Sequence, residues 1–591
     1  LSHYDLIDQF NVPEVQSLAR VISYTFPVEI DSRALPKHKA DCIRLIISTL
    51  ASEANLARAF AALTENEQHT ISIILDDPEL VLDAKRYVAI YGVRPATPRT
   101  AYGSGKMTLL NAFISADQSI PPELAKRLRP LAPKLKEPGA SYLAGDLPVN
   151  DELWLHATEQ AACHDMLAVL NLIDQKAIKV SAATGTITDA AAEILRPALL
   201  AGDYYTEEIP ECNGDLEIGK RGIKPFAWAL LVQAAGLATL SGGKLALTAV
   251  GMKARTKPSQ EILRTIWNRW LKYTDFHEFS RLEEIKGQKS AKRPLSKPND
   301  ARNAIADTLA QLEVNRWIAI DDFFKFMFAN SNDFYVVRNA WALYHSHAEY
   351  GSFGYSHITW EHLNGRFAMA FLLEYCATLG IIDVGIGLPW GARKDMRDLW
   401  GWDEQSCISR YDGLHYLRLT PLGAWILGAA DEYLPQRISA RALKILPNLD
   451  VVLCHTVEPA VLIQLERIAE KTTENVYHLA REKILDACED GVALADILNF
   501  LTDQIDHELP HTAGALFREV EEGLAKFTLK SSGYLIQCTD LGLIAQVTHD
   551  PAFSRWCQAV DDRHFYLREG NEKAFRAALK KMGYLISGLK Q

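Results

Sequence analysis

The sequence predicts a mainly α-helical chain with small β elements, divided into several domains. Three observations carry this expectation. The chain has 591 residues, more than one hydrophobic core usually organises. Apolar residues recur at helical spacing along much of it, and a unit of helix, short hairpin and capped helix occurs more than once. A hydrophobic content of 48% with 23% charged residues is that of an ordinary globular chain, so disorder is expected to be minor.

Residues 1–150 read as short helices forming a basic amino-terminal domain. The stretch "IRLIISTLASEANLARAFAALTENEQHTISIIL" has apolar residues at helical spacing, and Thr64 with Glu67 makes a T-x-x-E capping box that starts a new helix. From 151 the pattern changes. In "PFAWALLVQAAGLATLSGGKLALTAVG", Pro225 to Gly251, an apolar helix leads through a glycine-bearing turn to an alternating strand and then to Leu247-Thr248-x-x-Gly251. A second copy runs through "RFAMAFLLEYCATLGIIDVG", Arg366 to Gly385, and after an insertion meets "LHYLRLTPLG", Leu414 to Gly423. Phe226, Ala227, Ala229 and Leu231 match Phe367, Ala368, Ala370 and Leu372 in order, and both copies close on L-T-x-x-G, whose threonine is placed to cap the next helix.

Helix, hairpin and capped helix together describe a winged helix. Residues 151–285 and 301–440 are therefore expected to be winged-helix domains, the second with an insertion. Between them, 286–300 is a basic Pro/Ser-rich stretch expected to be a linker. "HDMLAVLNLIDQKAIKVSAATGTITDAAAEIL" reads as an earlier copy, with a wing-like "AIKVSAATGTI" and Thr188 as the cap, and "YLIQCTDLG", Tyr534 to Gly542, echoes the same ending.

The formal charge of −11 argues against a uniformly basic nucleic-acid binder, but the charge is segregated. Lys85, Arg86, Arg94, Arg99, Lys106, Lys126, Arg127, Arg129, Lys134 and Lys136 are opposed between 85 and 136 only by Asp117 and Glu123, a local net of +8. A second cluster holds Lys286, Lys289, Lys292, Arg293 and Lys297. Arg94, Arg99, Lys106, Lys126, Arg127 and Arg129, with Lys286, Lys289, Lys292 and Arg293, are the expected contacts to nucleic-acid phosphates, sequence-independent and salt-sensitive. Base reading by the helices before the wings is not expected. Phe226 to Ala238 offers only Gln233, and Phe367 to Leu379 only Glu374.

Enzyme motifs fail one by one. "AYGSGKMTLL" resembles a phosphate-binding loop, but Thr100 stands where the first glycine belongs and Met107 follows Lys106 where a magnesium-holding hydroxyl is needed. "FHEF" at Phe276 lacks a second His, "GYSHI" has Ile358 in place of the final glycine of a nucleophile turn, and Cys163-His164-Asp165 are chain neighbours rather than partners across a fold. "YHSHAEYGSFGYSH" gathers His345, His347, Glu349 and His357, with His362 nearby, as weak metal candidates; no bound metal and no cofactor is expected. Nine singly scattered cysteines without a C-x-x-C fit buried thiols. No apolar run approaches the roughly 20 residues that span a bilayer, and the amino end has no basic-then-apolar signal pattern. A cytoplasmic protein without a membrane partner is expected.

The last quarter, 441–591, contains "LKILPNLDVVLCHTVEPAVLIQLERIAEK", "VYHLAREKILDACEDGVALADILNFL" and "HELPHTAGALFREVEEGLAKFTLKSSGYLIQCTD", and closes on "HFYLREGNEKAFRAALKKMGYLI". With Pro447, Asn448, Asp450, Tyr477 to Leu479, Gly491, Leu509-Pro510 and Gly583-Tyr584-Leu585 as landmarks, this order resembles the helicase-associated family named for the amino-terminal domain of the XPB/TFIIH-type DNA helicase. The rest of the chain, including "FSRLEEIKGQ" and "SRYDGLHYLRLTPLGAWILG", looks like bacterial proteins in which that domain follows several winged helices and no motor. No D-E-x-H box accompanies it. The resemblance implies an α+β carboxyl-terminal domain and an accessory role.

The expectation from these readings is a non-enzymatic scaffold of a DNA-processing complex. It docks a helicase or similar partner through 441–591 and touches DNA weakly and non-specifically. A metal-dependent enzyme centred on His345 and His347, and a winged-helix transcription regulator, are the alternatives.

Overall fold

The computed structural model describes residues 2–98, 107–147, 152–200, 202–205, 222–255, 257–282, 284–345, 352–354, 360–395, 407–434, 443–453, 459–473, 475–505, 507–524 and 532–587. The fold is mainly α-helical with small antiparallel sheets. The chain divides into two compact units, residues 1–436 and 437–591.

Among the described residues, the first unit opens with the short α-helices α1 (His3–Asp8), α2 (Val12–Thr25), α3 (Lys39–Leu50), α4 (Glu53–Ala61), α5 (Glu65–Asp76), α6 (Ala84–Tyr91) and α7 (Pro122–Leu128). Local chemistry sets where several begin. Ser2 with Asp5, Asn11 with Glu14, and Thr64 with Glu67 form reciprocal capping boxes, each satisfying backbone N–H groups that a helix start leaves unpaired. The apolar stripes of these helices meet in one core that includes Leu18, Ile22, Phe26, Ile46, Phe60, Ile74, Phe113 and Leu128.

The chain then runs through β1 (Trp154–His156), α8 (Glu159–Asp174), α9 (Asp189–Leu195), α10 (Lys224–Ala234), β2 (Ala238–Ser241), β3 (Lys244–Leu247), α11 (Ala249–Ala254) and α12 (Ser259–Trp270). Next come β4 (Ile285–Lys286), α13 (Asn299–Leu309), β5 (Trp317–Ala319), α14 (Ile320–Ala329) and β6 (Tyr344–His345). A continuous helix α15 follows, with π-type turns at Glu361–Gly365 and Phe371–Cys376 flanking an α-helical middle at Arg366–Ala370. β7 (Ile382–Ile386), β8 (Leu414–Leu419) and α16 (Pro421–Leu427) end the unit.

Two modules of one topology share this stretch. In the first, α8, a short extended segment at Ile178–Val180, α9 and α10 precede the β2–β3 hairpin, and the segment pairs with β3 through Lys179 and Lys244. In the second, α13, β5, α14 and α15 precede β7 and β8, and β5 pairs with β8. The wing-like "AIKVSAATGTI" does fold back on itself, Val180 pairing with Ile187 and Ser181 N donating to Thr186 O, and through Leu245 N, which donates to Ile178 O, it also supplies the third strand of the first module. Thr188 does cap α9 as expected, accepting from Ala191 N. β1 crosses between modules, pairing with β7, so the larger sheet runs β1-β7-β8-β5.

The repeated L-T-x-x-G has one physical explanation in both copies. Each central helix ends on a left-handed glycine, Gly236 (φ +72°) or Gly380 (φ +73°), and the next N–H turns back to the helix, Leu237 to Val232 O and Ile381 to Cys376 O. Thr248 Oγ donates to Gly236 O at 2.7 Å and accepts from Gly251 N at 3.1 Å; Thr420 Oγ does the same with Gly380 O at 2.7 Å and Gly423 N at 2.8 Å. A methyl added to Gly251 or Gly423 would lie 2.0 Å from the carbonyl oxygen of Leu237 or Ile381. Threonine and glycine thus clasp the second helix of the motif against the end of the first.

The stretch expected as a linker is stitched into this unit. Ile285 pairs with His345 and Leu295 with Val337, and Ser296 N donates to Val336 O at 2.9 Å.

In the second unit, β9 (Leu443–Ile445), β10 (Asp450–Leu453), α17 (Pro459–Ile468), β11 (Ala469–Thr473), β12 (Val476–Leu479), α18 (Arg481–Glu489), α19 (Leu494–Gln504) and α20 (His511–Leu524) enclose a core with Val451, Leu465, Tyr477, Ile484, Leu501 and Phe517. A second core with Val547, Phe553, Leu567 and Phe575 is enclosed by β13 (Gly533–Gln537), α21 (Leu541–His549), α22 (Pro551–Ser554), β14 (Cys557–Ala559), β15 (His564–Arg568) and α23 (Glu572–Lys581). The sheets run β11-β12-β10-β9 and β13-β15-β14. "YLIQCTDLG" departs from the repeat: β13 pairs with β15, and Asp540 rather than Thr539 caps α21.

Candidate nucleic-acid interface

The helices before the two hairpins face inward. Along α10, residues Lys224 to Val232 are all buried, and in α15 every residue from His362 to Cys376 is buried. Apolar side chains on all sides of a helix require this. The eight matched residues of the repeat are core residues, none more than 2% exposed. Gln233 is spent internally, its amide donating to Gly185 O and Ala229 O. Neither helix offers a side chain to a groove.

Glu374, singled out between Phe367 and Leu379, belongs to a buried ionic network. Arg281 Nε lies 3.1 and 3.0 Å from its two oxygens, Tyr375 donates to it at 3.1 Å, and the Tyr411 hydroxyl donates to it as well. Burial pushes the carboxyl up, while Arg281 and Tyr411 oppose the shift. The same guanidinium donates to Gly222 O and lies 3.8 Å from the centroid of Phe226. Nearby, Arg302 pairs with Glu278 at 2.6 Å and donates to Trp270 O and Phe276 O. Arg366 is forked by Asp412 at 3.1 and 3.2 Å and by Asp395. Burial would lower the Arg366 pKa, but the two carboxylates raise it above the ordinary arginine value. Every charge here has a partner, which burial demands.

The sequence strings singled out earlier build this network, since "FSRLEEIKGQ" supplies Arg281 and "SRYDGLHYLRLTPLGAWILG" supplies Tyr411 and Asp412. In the sequence those strings stood out only for their resemblance, which did not foreshadow the network. The signal that would have found it is the arginine-carboxylate pairing inside otherwise apolar segments.

The expected phosphate contacts separate into groups. Arg94, Lys126, Arg129, Lys134 and Lys136 are exposed on the amino-terminal domain. Arg127 is a correction. Its guanidinium pairs with Glu53 at 2.7 Å and donates to Leu50 O and Ala51 O at the end of α3, satisfying carbonyls that the helix leaves open. Of the +8 segment, Lys85 and Arg86 are also engaged: Lys85 donates to the Tyr335 hydroxyl at 3.3 Å and Arg86 pairs with Asp76 at 2.7 Å. Arg99 and Lys106, with Thr100 and the rest of the failed phosphate loop, lie outside the described residues; Met107 is buried. Lys286, Lys289, Lys292 and Arg293 are all exposed.

Of the metal candidates, His345 lies on β6, while His347, Glu349 and His357 lie outside the described residues. His362 is buried with its Nε2 2.7 Å from Asp395 O. Among the described residues no group of three or more His, Cys, Asp or Glu side chains could hold a metal ion. Cys163 is a free thiol pushed up to about 12 by burial, and His164 Nδ1 is 3.1 Å from Asp165, whose same oxygen accepts from Leu200 N. That carboxylate braces a loop. No helix among the described residues is long and apolar enough to cross a membrane.

A further polar cluster, absent from the sequence reading, surrounds Lys224 at the start of α10. Lys224 is 3% exposed, and its ammonium lies 4.8 Å from the Tyr204 ring centroid. His156 meets the same ring edge-on at 5.2 Å, and burial together with Lys224 lowers its pKa to about 4. No protein-family model matches the chain, and no curated protein matches it in sequence.

Proposed function

We propose that the chain is a non-enzymatic accessory protein of a DNA-processing complex, holding nucleic acid by its backbone and docking a helicase-type partner. The observation that carries the reading is the burial of α10 and α15 beside exposed clusters of Lys and Arg: base-reading positions point inward while cations remain at the surface. In this reading the two modules are winged helices used as scaffolding. The order helix, strand, helix, helix, hairpin, with the first strand beside the third, supports that assignment.

The carboxyl-terminal unit is the docking module, on the strength of its resemblance to the helicase-associated XPB-type domain. Several landmarks of that resemblance occupy structurally demanding positions. Asp450 bonds both Asn448 and His478, Tyr477 is buried, and Gly491 and Gly583 take left-handed conformations at helix ends.

The test has two arms. Purified chain is titrated with unrelated duplexes across a salt series, and affinity capture from the native host is compared between the full chain and one lacking 437–591. With about four to six phosphates contacted, log affinity falls against log salt with a slope near −4 to −5, equally for all sequences. Strong preference for one duplex, or a partner set unchanged by the deletion, overturns the reading.

A further inference from the structure

Two segments of the first unit lie side by side and carry no carboxylate between them. Residues 285–298 hold Lys286, Lys289, Lys292, Arg293 and Lys297, and residues 334–345 hold Arg338. They are joined at both ends. β4 pairs with β6 through Ile285 with His345 and Lys286 with Tyr344. At the far end Leu295 bridges Val337, Arg338 N donates to Pro294 O at 2.6 Å, and Ser296 Oγ donates to Tyr335 O at 3.1 Å. Gly287, in a left-handed conformation, lets the strands approach, since a methyl there would lie 2.0 Å from Ala342 O. All six cations are exposed.

The same ribbon displays three large aromatic side chains. Tyr335 is 58% exposed, Trp341 59% and Tyr344 49%. Each has a neighbour that fixes it. Lys85 Nζ sits 5.4 Å from the Tyr335 centroid, Trp341 packs against Gly354, where even a methyl would collide with its indole, and Tyr344 lies against Gly287. Roughly half of each ring or more stays accessible from solvent. A duplex presents its phosphates but hides the faces of its bases. A single strand presents both.

We propose that this ribbon is a binding surface for single-stranded nucleic acid, with bases stacking on Tyr335, Trp341 and Tyr344 and phosphates held by Lys286, Lys289, Lys292, Arg293, Lys297 and Arg338. The inference rests on the nucleic-acid reading above and gives it a strand preference and a location. Cations along a track with interleaved aromatic faces bind single strands with little regard to sequence, because every base has a face to stack. An accessory protein beside a helicase meets that form of the polymer.

The probes are a 20-nucleotide oligo(dT), oligo(rU) of equal length, a duplex of mixed sequence and polyglutamate, each titrated with the intact chain. Oligo(dT) is expected to bind at least about tenfold more tightly than the duplex or polyglutamate, and replacing Tyr335, Trp341 and Tyr344 together by Leu should weaken it by about tenfold or more; a duplex bound as tightly as oligo(dT) overturns the strand preference. Replacing all three by Phe should restore most of the affinity, which a merely electrostatic surface would not show. Circular dichroism of both variants confirms that the fold is kept. Comparison of oligo(dT) with oligo(rU) distinguishes DNA from RNA as the source. Unaltered oligo(dT) binding in the Leu variant, together with loss in Lys126→Glu/Arg129→Glu, overturns the ribbon and leaves the general reading standing. Polyglutamate binding as tightly as oligo(dT) makes the surface an acidic-peptide site and overturns the proposal. Failure of every nucleic acid to bind at low salt overturns the proposed function itself.

Discussion

Arg281 Nε and the Glu374 carboxylate meet at 3.1 and 3.0 Å in a site from which water is excluded. The pair joins the turn after α12 to the central helix of the second module, and the hydrogen bond from Arg281 to Gly222 O brings in the approach to α10. One guanidinium therefore ties both modules together.

Removing one partner should leave the other charged and buried. Arg281→Met is expected to cost about 3–5 kcal/mol, whereas the double change Arg281→Met/Glu374→Leu should recover much of that loss. Urea unfolding followed by the buried tryptophans Trp228, Trp267 and Trp270 checks both. A double variant no more stable than the single one would show that Glu374 is held chiefly by Tyr411 and Tyr375.

The clasp glycines make a sharper case, because two effects of opposite sign compete. Gly to Ala inside a helix ordinarily stabilises by about 1 kcal/mol. At Gly251 and Gly423 the added methyl would meet a backbone carbonyl at 2.0 Å, which no rotamer change relieves, and overpacking costs about 1–3 kcal/mol or more. Both Ala variants should lose stability, while Gly514→Ala in α20, with nothing within 4 Å, should gain it.

His156 predicts an acid-side loss. Burial and Lys224 hold its pKa near 4 against an ordinary 6.5, so the folded state keeps the ring neutral. The stability this carries is present above pH 6.5 and is lost as the pH falls towards 4, by about 3 kcal/mol in all. Replacing His156 by Phe should flatten the pH dependence of unfolding across that window, and NMR of the ring should report the low titration directly.

Arg127 and its neighbours should respond differently to the same substitution. Lys126→Glu and Arg129→Glu should leave unfolding unchanged and weaken duplex binding on every sequence alike. Arg127→Glu should instead destabilise the amino-terminal domain by about 1–3 kcal/mol, since it strands the carbonyls of Leu50 and Ala51 and sets a second carboxylate against Glu53. Chemical denaturation and a salt-series titration separate the two outcomes.

The parts of the fold legible in the sequence are those fixed by neighbours in the chain. The Thr64 capping box, the Thr188, Thr248 and Thr420 caps and the matched apolar helices all depend on spacings of a few residues, and each is where the pattern places it. What spacing does not encode is which distant segment a strand joins. Ile178–Val180 forms half of its own hairpin with Ile187, as its pattern suggests, yet it also pairs with β3, some 65 residues on, which nothing in its spacing announces. Arg127 shows the same gap for the candidate site: its charge is visible in the sequence, but the helix end that consumes it belongs to α3. Exposed Lys126, Arg129 and Lys289 are the cations whose availability composition alone anticipated.

The two clasps carry hairpins of very different reach. Gly242 and Gly243 alone separate β2 from β3, while residues 387–413 separate β7 from β8. Each clasp anchors the root of its hairpin and makes no demand on the tip, and closing a longer loop costs little more than closing a short one. The tip is thus a graft point, where chain can be added over evolutionary time without renegotiating the scaffold beneath. In the second module the long connection also reaches inward, where Asp395 and Asp412 serve as counter-ions for Arg366, so here the connection carries part of the fold as well as spanning it.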